Sequence, residues 1–141
     1  MQNITLNNGV EIPILGFGVY QIAPKDTKSA VLNAIKAGYR HFDTAQAYAN
    51  EKEVGEAIRE SGIDRKEFFI TSKVWLSNYG YDKAYASVLE SLDKMKLDYL
   101  DLMLLHQPFG DYYGAYRAFT KKENFERLVC LISIQIVSAT L

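Results

Sequence analysis

GYRHFDTAQAYANEKEVGEAI, residues 38–58, changes along its length from the hydrophobic pattern of a strand to that of a helix. Residues 39–43 have the length and composition of a short strand, and a loop without periodicity follows them. Asn50 with Glu53 three positions later is a variant of the capping box, so it predicts the start of a helix that Gly62 ends. The residues predicted for the buried stripe of this helix are Val54, Ala57 and Ile58. The stretch is therefore predicted to be a strand, a loop and a helix.

The same succession of strand and helix occurs elsewhere in the chain. Residues 14–20, ILGFGVY, are an apolar run of strand length, and a helical period begins at Asp26. Further strands are predicted at residues 67–75 and 99–106, with a helix from Asp82 to Lys96 between them. The residues predicted to face inward from these two helices are Ala30, Val31, Ala34, Ile35, Tyr85, Val88, Leu89 and Leu92.

Four strands that alternate with three helices across short loops predict parallel pairing, because each right-handed crossover returns the chain to the same edge of the sheet. The pattern fits an incomplete (β/α)8 TIM barrel of about four to five βα units, and an open doubly wound sheet fits it equally. Residues 4–12 precede the first unit and alternate in polarity around Asn8-Gly9. They predict a β-hairpin with a tight primed turn.

Gly16 and Gly18 in the first long strand allow two interpretations. A dinucleotide-binding loop would need a glycine at position 21, which is Gln21, so no GxGxxG motif exists. Close packing of the backbone at a strand end is the favoured interpretation.

Composition limits the possible functions before any site is considered. The chain has 141 residues, whereas a complete (β/α)8 barrel takes roughly 250. A net charge of −1 gives no indication of a nucleic-acid or anionic-membrane partner. A single cysteine, Cys130, excludes an internal disulfide, and the N-terminus lacks the pattern of a signal peptide. A cytoplasmic location is the resulting expectation.

Four polar side chains stand at or just after the ends of successive predicted strands. Asp43, Lys73 and His106 end the second, third and fourth strands, and Tyr48 lies in the loop after Asp43. The carboxyl ends of parallel strands meet at one face of an α/β fold, where ionisable residues can surround one small ligand. These four residues are therefore the predicted active site.

Their chemistry suits the donation of a proton to a carbonyl oxygen. A free tyrosine, with a pKa of about 10, is a weak acid, and a nearby ammonium group strengthens it by stabilising the phenolate. Lys73 could act in this way on Tyr48, with Asp43 keeping the lysine charged. A neutral His106 could donate a hydrogen bond to the carbonyl oxygen.

Each residue alone also has a structural interpretation. Asp43 could cap a turn, Lys73 could be a solvated strand end, and His106 could be a satisfied core histidine. His41, which lies within a strand rather than at its end, is assigned to the structural class. The joint placement of the four residues carries the functional interpretation.

Three stretches also resemble a known family. GYRHFDTAQAYANEKEVGEAI, FFITSKVW and YLDLMLLHQP resemble, in this order, the signatures of the aldo-keto reductase family, and the resemblance covers residues 4 to about 118. It implies a (β/α)8 barrel, closed below by a hairpin, that reduces aldehydes and ketones with NADPH and without a metal. Gln107 and the following PFGDYYGAYRA are similar to a bacterial branch that contains diketogluconate and glyoxal reductases.

The resemblance also implies a role for each candidate residue. Tyr48 matches the general acid, Lys73 and Asp43 the partners that strengthen it, and His106 the residue that orients the carbonyl. A small carbonyl compound is the implied substrate, and full-length relatives are implied to be monomers. The implied substrate-binding residues are Tyr20, Trp75 and His106, and the implied cofactor-binding residues are Gly18 and Asp43.

The resemblance ends before residues 119–141, which are expected to form an atypical tail beside a half-barrel of residues 1–118. Codons for residues 123–137 can be chosen so that reading one nucleotide earlier gives GKFRAIGVSNFNPDR, which matches the family's next strand. This agreement suggests a frameshift near residues 118–123. The run LVCLISIQIV within the tail is either an aggregation-prone segment or a substitute fifth strand.

A lost second half would have consequences for activity. The chain is expected to be truncated and inactive alone, since the family's remaining NADPH-binding residues would lie downstream. Its open sheet edges favour self-association. The alternatives are a catalytically dead relic and a non-catalytic binding module on a barrel scaffold.

Overall fold

The computed structural model describes residues 2–120, which contain six strands and four α-helices. The strands and the first three helices follow one another in the order that the hydrophobic pattern predicts, and the fourth helix, at residues 112–120, was not predicted. The predicted tail, apart from its first two residues, lies outside the described residues. The strands are β1 (Asn3–Thr5), β2 (Glu11–Pro13), β3 (Gly16–Gly18), β4 (His41–Asp43), β5 (Phe69–Val74) and β6 (Leu102–Leu105). The helices are α1 (Pro24–Lys36), α2 (Glu51–Glu60), α3 (Tyr81–Met95) and α4 (Tyr112–Thr120). Short 3-10 turns occupy Gln46–Tyr48, Arg65–Glu67 and Leu76–Asn78.

Strands β3, β4, β5 and β6 form one parallel sheet in which the order of the strands is their order in the chain. Parallel pairing is thus confirmed. A doubly wound sheet reverses its strand order at a switch point, and this sheet has no reversal within residues 2–120. Consecutive helices also pack against one another, as expected for an arc of a barrel with its helices outside.

The N-terminal hairpin is confirmed, since β1 and β2 pair antiparallel, but its predicted tight primed turn is wrong. The Leu6 backbone N–H donates to the Val10 carbonyl, and the Gly9 N–H donates to the Leu6 carbonyl. Gly9 alone in this loop has positive φ, at 83°. A three-residue loop that ends in a left-handed glycine is the second common way to close a hairpin.

The alternation of side chains along the strands separates the core from the site. Fully buried apolar side chains lie on the helix side of the sheet. They are those of Phe42, Ile70, Val74 and Met103. Because successive residues of a strand face opposite sides, Asp43 and its neighbours in register face the barrel interior. The hydrophobic core thus holds the sheet from outside and leaves the inner face for polar groups.

The two glycines of β3 have different environments. A Cβ at Gly16 would lie 2.8 Å from Nδ1 of His41, so close packing is confirmed there. A Cβ at Gly18 would meet no atom within 4 Å, so the same interpretation is wrong for Gly18. The difference arises because His41 is the strand neighbour of Gly16, whereas Asp43, the neighbour of Gly18, turns its carboxylate toward Lys73.

Two helix predictions are also wrong in detail. Asn50 precedes α2 but makes no side-chain cap bond, because its amide bonds to other loops instead. Leu89 was predicted to face inward from α3, yet it is 45% exposed. The buried face of α3 contains Ser87 and Ser91, and their hydroxyls bond to neighbouring buried groups.

Helices α2 and α3 approach each other closely at Gly55. A Cβ at this position would lie 2.1 Å from the carbonyl oxygen of Met95, which also accepts a hydrogen bond from the Arg59 guanidinium. The obstacle is backbone at the end of α3, so a side chain at residue 55 can be accommodated only if one helix moves.

We predict that Gly55→Ala destabilises the fold despite the higher helix propensity of alanine. Forced separation of α2 from α3 should lower the free energy of unfolding by about 1–3 kcal/mol, measured by urea unfolding followed by circular dichroism. Gly18→Ala is the control, because its Cβ meets open space. Equal stability of the two variants would contradict the close contact.

Candidate active site

The structure brings the four strand-end residues together at the carboxyl end of the sheet. Asp43 is the last residue of β4, Lys73 is next to last in β5, and His106 directly follows β6. Tyr48 ends the 3-10 turn that begins three residues after the end of β4, and its hydroxyl lies beside Lys73. Parallel pairing in register places these side chains around one space.

The Lys73 ammonium group is the centre of this cluster. Its Nζ donates to Oδ1 of Asp43 at 2.5 Å, to the Thr44 carbonyl at 3.0 Å and to the Tyr48 hydroxyl at 3.4 Å. Three donors thus meet three acceptors, and only 14% of the lysine side chain is exposed. This geometry fixes a positive charge beside the phenol oxygen and balances it with a carboxylate.

His106 is held by aromatic rings rather than by hydrogen bonds. Its ring makes edge contacts with Tyr48 at 5.7 Å and Trp75 at 4.9 Å between centroids. Its Nδ1 is buried and has no hydrogen-bond partner within residues 2–120. Burial lowers the pKa of His106 below 6.5, the Lys73 charge lowers it further, and Asp43 opposes the shift. Burial and the lysine charge therefore both favour the neutral imidazole.

A cavity of about 430 Å³ opens in front of these groups. The predicted substrate-binding residues Tyr20 and Trp75 both line it, and the ring of Tyr20 lies 4.9 Å from that of Tyr48. Tyr20 is 64% exposed, so this wall is open to solvent. The complete lining is Tyr20, Ala47, Tyr48, Trp75, His106 and Gln107.

The predicted cofactor-binding residues lie side by side at the edge of the cluster. Gly18 pairs with Asp43 in the sheet register, and the space above Gly18 is empty. The carboxylate of Asp43 keeps about a third of its surface exposed. The open space at Gly18 beside the partly exposed Asp43 is compatible with the NADPH site that the family resemblance implies.

His41 contacts the sheet below the cluster. Its Nε2 lies 3.1 Å from Oγ1 of Thr71, and its ring makes an edge contact with Phe69. Burial is the main cause that lowers its pKa. These contacts support the structural role that its position within the strand predicts.

A buried carboxyl group that no sequence pattern indicated lies behind the sheet. Glu51 is 3% exposed and accepts hydrogen bonds from the hydroxyls of Ser72, at 2.6 Å, and Ser91, at 3.3 Å. Burial raises its pKa above the usual range, and the two hydroxyl bonds oppose that shift. Hydrophobic periodicity does not specify the positions of the two serines. The sequence pattern therefore gives no indication that they bind a buried carboxyl group.

A sequence profile of the Aldo/keto reductase family matches residues 14–135 of the chain. The chain belongs to the aldo/keto reductase family. It is 47% identical over 120 residues to morphine 6-dehydrogenase of Pseudomonas putida, and the alignment covers 85% of this chain and 40% of that enzyme. It is also 47% identical over 120 residues to glyoxal reductase of Bacillus subtilis, covering 84% and 44% respectively.

Solved aldo/keto reductase structures share this fold. The enzyme from Brucella melitensis matches with a TM-score of 0.88 and 42% identity, over 93% of this chain and 52% of that one. The enzyme from Bombyx mori, solved in complex with NADP, matches with a TM-score of 0.85 and 32% identity, over 93% and 50%. The predicted TIM-barrel class is confirmed, and the alternative of a doubly wound sheet is wrong.

The aldo/keto reductase similarity extends over a limited share of the relatives. The chain spans less than half the length of the curated enzymes that it matches.

In the described part of the chain, no helix combines the length and the apolar composition needed to cross a membrane.

We predict that the fluorescence of Trp75, the one tryptophan of the chain, reports the protonation of His106. An imidazolium ion quenches a neighbouring indole, so emission should fall as the pH drops, with a midpoint below 6.5. His106→Asn should abolish this step, whereas His41→Asn should keep it. A midpoint at or above 6.5 would contradict the buried, lysine-facing environment.

Proposed function

We propose that this protein acts in the NADPH-dependent reduction of a small aldehyde or ketone to an alcohol, with Tyr48 as the proton donor. The observation that carries the proposal is the Lys73 ammonium group, which contacts both the Asp43 carboxylate and the Tyr48 hydroxyl. A cation beside the phenol oxygen stabilises the phenolate left after proton transfer. Because the cavity opens on this hydroxyl, the proton can reach a bound carbonyl group.

The remaining residues orient and polarise the carbonyl. A neutral His106 donates a ring N–H to the carbonyl oxygen, so negative charge can develop there as the carbon is reduced. Tyr48 then gives its proton to that oxygen, and Lys73 balances the phenolate until solvent reprotonates it. The Asp43 carboxylate pairs with Nζ of Lys73 and holds it beside the Tyr48 hydroxyl.

NADPH, when bound, supplies the hydride that the carbonyl carbon accepts. Gly18 and Asp43 would hold the nicotinamide end, because they are neighbours in the sheet and the space at Gly18 is open. Support for this cofactor comes from the Bombyx mori relative, which was solved with NADP. The residues described here offer only that end of a cofactor site.

The substrate is proposed to be a small, polar carbonyl compound. The cavity of about 430 Å³ has aromatic walls at Tyr20 and Trp75 and a polar floor at Tyr48 and His106. Bacillus subtilis glyoxal reductase, at 47% identity, is a relative whose name states such a substrate. Cytoplasmic location and the monomeric state of full-length relatives stay predictions.

We further propose that residues 1–118 are a half-barrel unit and that the 141-residue chain alone does not complete the reaction. The four strands of the described sheet supply the proton-donating side of the site. The alignment covers only 40% of the length of morphine 6-dehydrogenase and 44% of the length of glyoxal reductase. The rest of each relative would supply the remainder of a barrel. A matching C-terminal half should therefore restore activity.

We predict that the chain, coexpressed with the C-terminal half of Bacillus subtilis glyoxal reductase, oxidises NADPH in the presence of an aldehyde, and that the chain alone does not. Tyr48→Phe should lower the complemented rate by about 10²–10⁴-fold, because the general acid is lost. Tyr116→Phe on the outer helix α4 is the matched control. Turnover by the chain alone would disprove the half-barrel proposal, and an active Tyr48→Phe variant would disprove the proton-donor role.

We also propose that residues 119–141 arise from a frameshift. Sequencing the gene across codons 118–141 should give bases that encode GKFRAIGVSNF one nucleotide earlier. Codons incompatible with that sequence would show that the tail belongs to the original reading frame.

A further inference from the structure

Each of the four loops at the carboxyl end of the sheet carries one ring that faces the cavity. The loops are residues 19–23, 44–50, 75–80 and 106–111. The rings are those of Tyr20, Tyr48, Trp75 and His106, in the same order. Apart from two 3-10 turns, these loops have no regular structure that fixes their mutual positions.

Asn50 joins the first loop to the second. Its side-chain Nδ2 donates to the carbonyls of Val19 at 3.0 Å and Ile22 at 3.2 Å, on either side of Tyr20. Its Oδ1 accepts from the Thr44 hydroxyl at 2.9 Å, at the start of the second loop. Asn50 is fully buried, so these bonds have no competition from water.

Gln46 joins the second loop to the third. Its Oε1 accepts from the Trp75 backbone N–H and from the Asn78 side chain, both at 2.9 Å. Its Nε2 donates to the Ser87 carbonyl and the Ser91 hydroxyl, both at 3.1 Å, on helix α3. All four hydrogen-bonding positions of the amide are used. Gln46 stands two residues before Tyr48, so it fixes the acid relative to Trp75.

Tyr79 joins the third loop to the fourth. Its hydroxyl donates to the Gln107 carbonyl at 2.6 Å and accepts from the Gln107 backbone N–H at 3.1 Å. Tyr79 is 7% exposed, and Gln107 directly follows His106. The Gly80 N–H adds a bond to the Asp111 carbonyl. The phenol thus holds the peptide next to the imidazole.

We propose that Asn50, Gln46 and Tyr79 are positioning residues that together fix the geometry of the active site, one between each pair of neighbouring loops. The inference rests on the proposed function for its catalytic meaning. None of the three residues is part of the cavity lining. Each therefore acts through the loop backbone to which it is hydrogen-bonded. Loss of one bridge frees two loops and leaves buried peptide groups without partners, which makes the loops separate or rearrange.

This arrangement has a consequence for His106 that a purely stabilising contact would not have. The charged or titratable groups near its ring are Lys73 from β5, Asp43 from β4 and Tyr48 from the second loop. If a bridge is lost, the ring gains water and moves away from the lysine. Both changes ease its protonation, so the midpoint of the Trp75 fluorescence titration should rise.

We therefore propose to titrate the 141-residue chain and two variants, Gln46→Met and Tyr79→Phe, by Trp75 fluorescence. Tyr79→Phe deletes one oxygen atom, and Gln46→Met keeps the volume while it removes the four bonds. Each midpoint should move upward toward 6.5, and the emission should shift to the red as Trp75 is hydrated. This readout needs neither cofactor nor turnover.

Two controls separate positioning from general loss of stability. Val31→Ala creates a cavity beneath α1, away from the third and fourth loops, and should leave the midpoint unchanged even though it destabilises the chain. Tyr116→Phe removes a hydroxyl from a partly exposed tyrosine of α4 and should change nothing. Midpoints that are unchanged in Gln46→Met and Tyr79→Phe, or shifted equally in Val31→Ala, would overturn the proposal.

The complemented enzyme provides the second measurement. Tyr79→Phe should lower kcat by about ten- to a hundredfold with a smaller change in KM, because misplacing a catalytic group affects the transition state most. An unchanged kcat would overturn the catalytic part of the proposal. If the complemented parent enzyme itself shows no turnover, the proposed function fails, while the fluorescence titration still tests the bridges. If Gln46→Met fails to fold, Tyr79→Phe decides alone.

Discussion

The ion pair of Lys73 with Asp43 constrains the whole carboxyl face of the sheet. An ammonium group that is 14% exposed needs acceptors, and it finds them on the neighbouring strand and on the loop that follows. The pair forms only in one register of β4 against β5, in which Asp43 lies opposite Thr71. A slip by one residue would turn Lys73 toward the helices and away from Asp43 and the Thr44 carbonyl, which accept its hydrogen bonds.

The register is maintained from both ends of the strands. At the carboxyl end, Lys73 ties β5 to β4. At the other end, Asp101 accepts from the Arg65 guanidinium at 2.7 Å and from the Ile70 backbone N–H at 2.8 Å, which ties the start of β5 to the segment before β6. Between these two polar contacts, Phe42 and Ile70 are fully buried on the helix side. Register is thus specified by charge at the ends and by burial in the middle.

Much of this fold could be predicted because local patterns determine it. Strand and helix periods predict the four parallel strands and the first three helices but not α4, and the position of Lys73 and His106 at strand ends followed from parallel pairing. The turn at Gly9 and the exposure of Leu89 were predicted wrongly. Turn type depends on the exact pairing of the strands, and the exposure of a helix side chain depends on neighbours that its own period does not specify.

The loop bridges could not be predicted for a different reason. Asn50 has the residue type of a helix cap, and a local cap competes with bonds to residues 28 and 31 positions away, which the sequence does not reveal. Gln46 stands in an aperiodic loop, where a polar residue is expected to be solvated. Only the assembled sheet brings Val19, Trp75 and Gln107 near these side chains, so their roles are properties of the tertiary structure.

The bridges bind mainly backbone atoms of the loops that they join. As a result, the positions of the loops and the side chains that line the cavity are determined separately. Gln46 and Tyr79 bond to the peptide groups of Trp75 and Gln107, whose side chains remain available to line the cavity. A change of side chain at Tyr20 or Gln107 therefore alters the wall that meets a substrate without removing a bridge. The hydrogen bonds of Lys73 to Asp43 and Tyr48, which are the basis of the proposed proton donation, involve neither of those two side chains. One loop framework can in this way accept different cavity walls while Tyr48, the proposed acid, keeps its position.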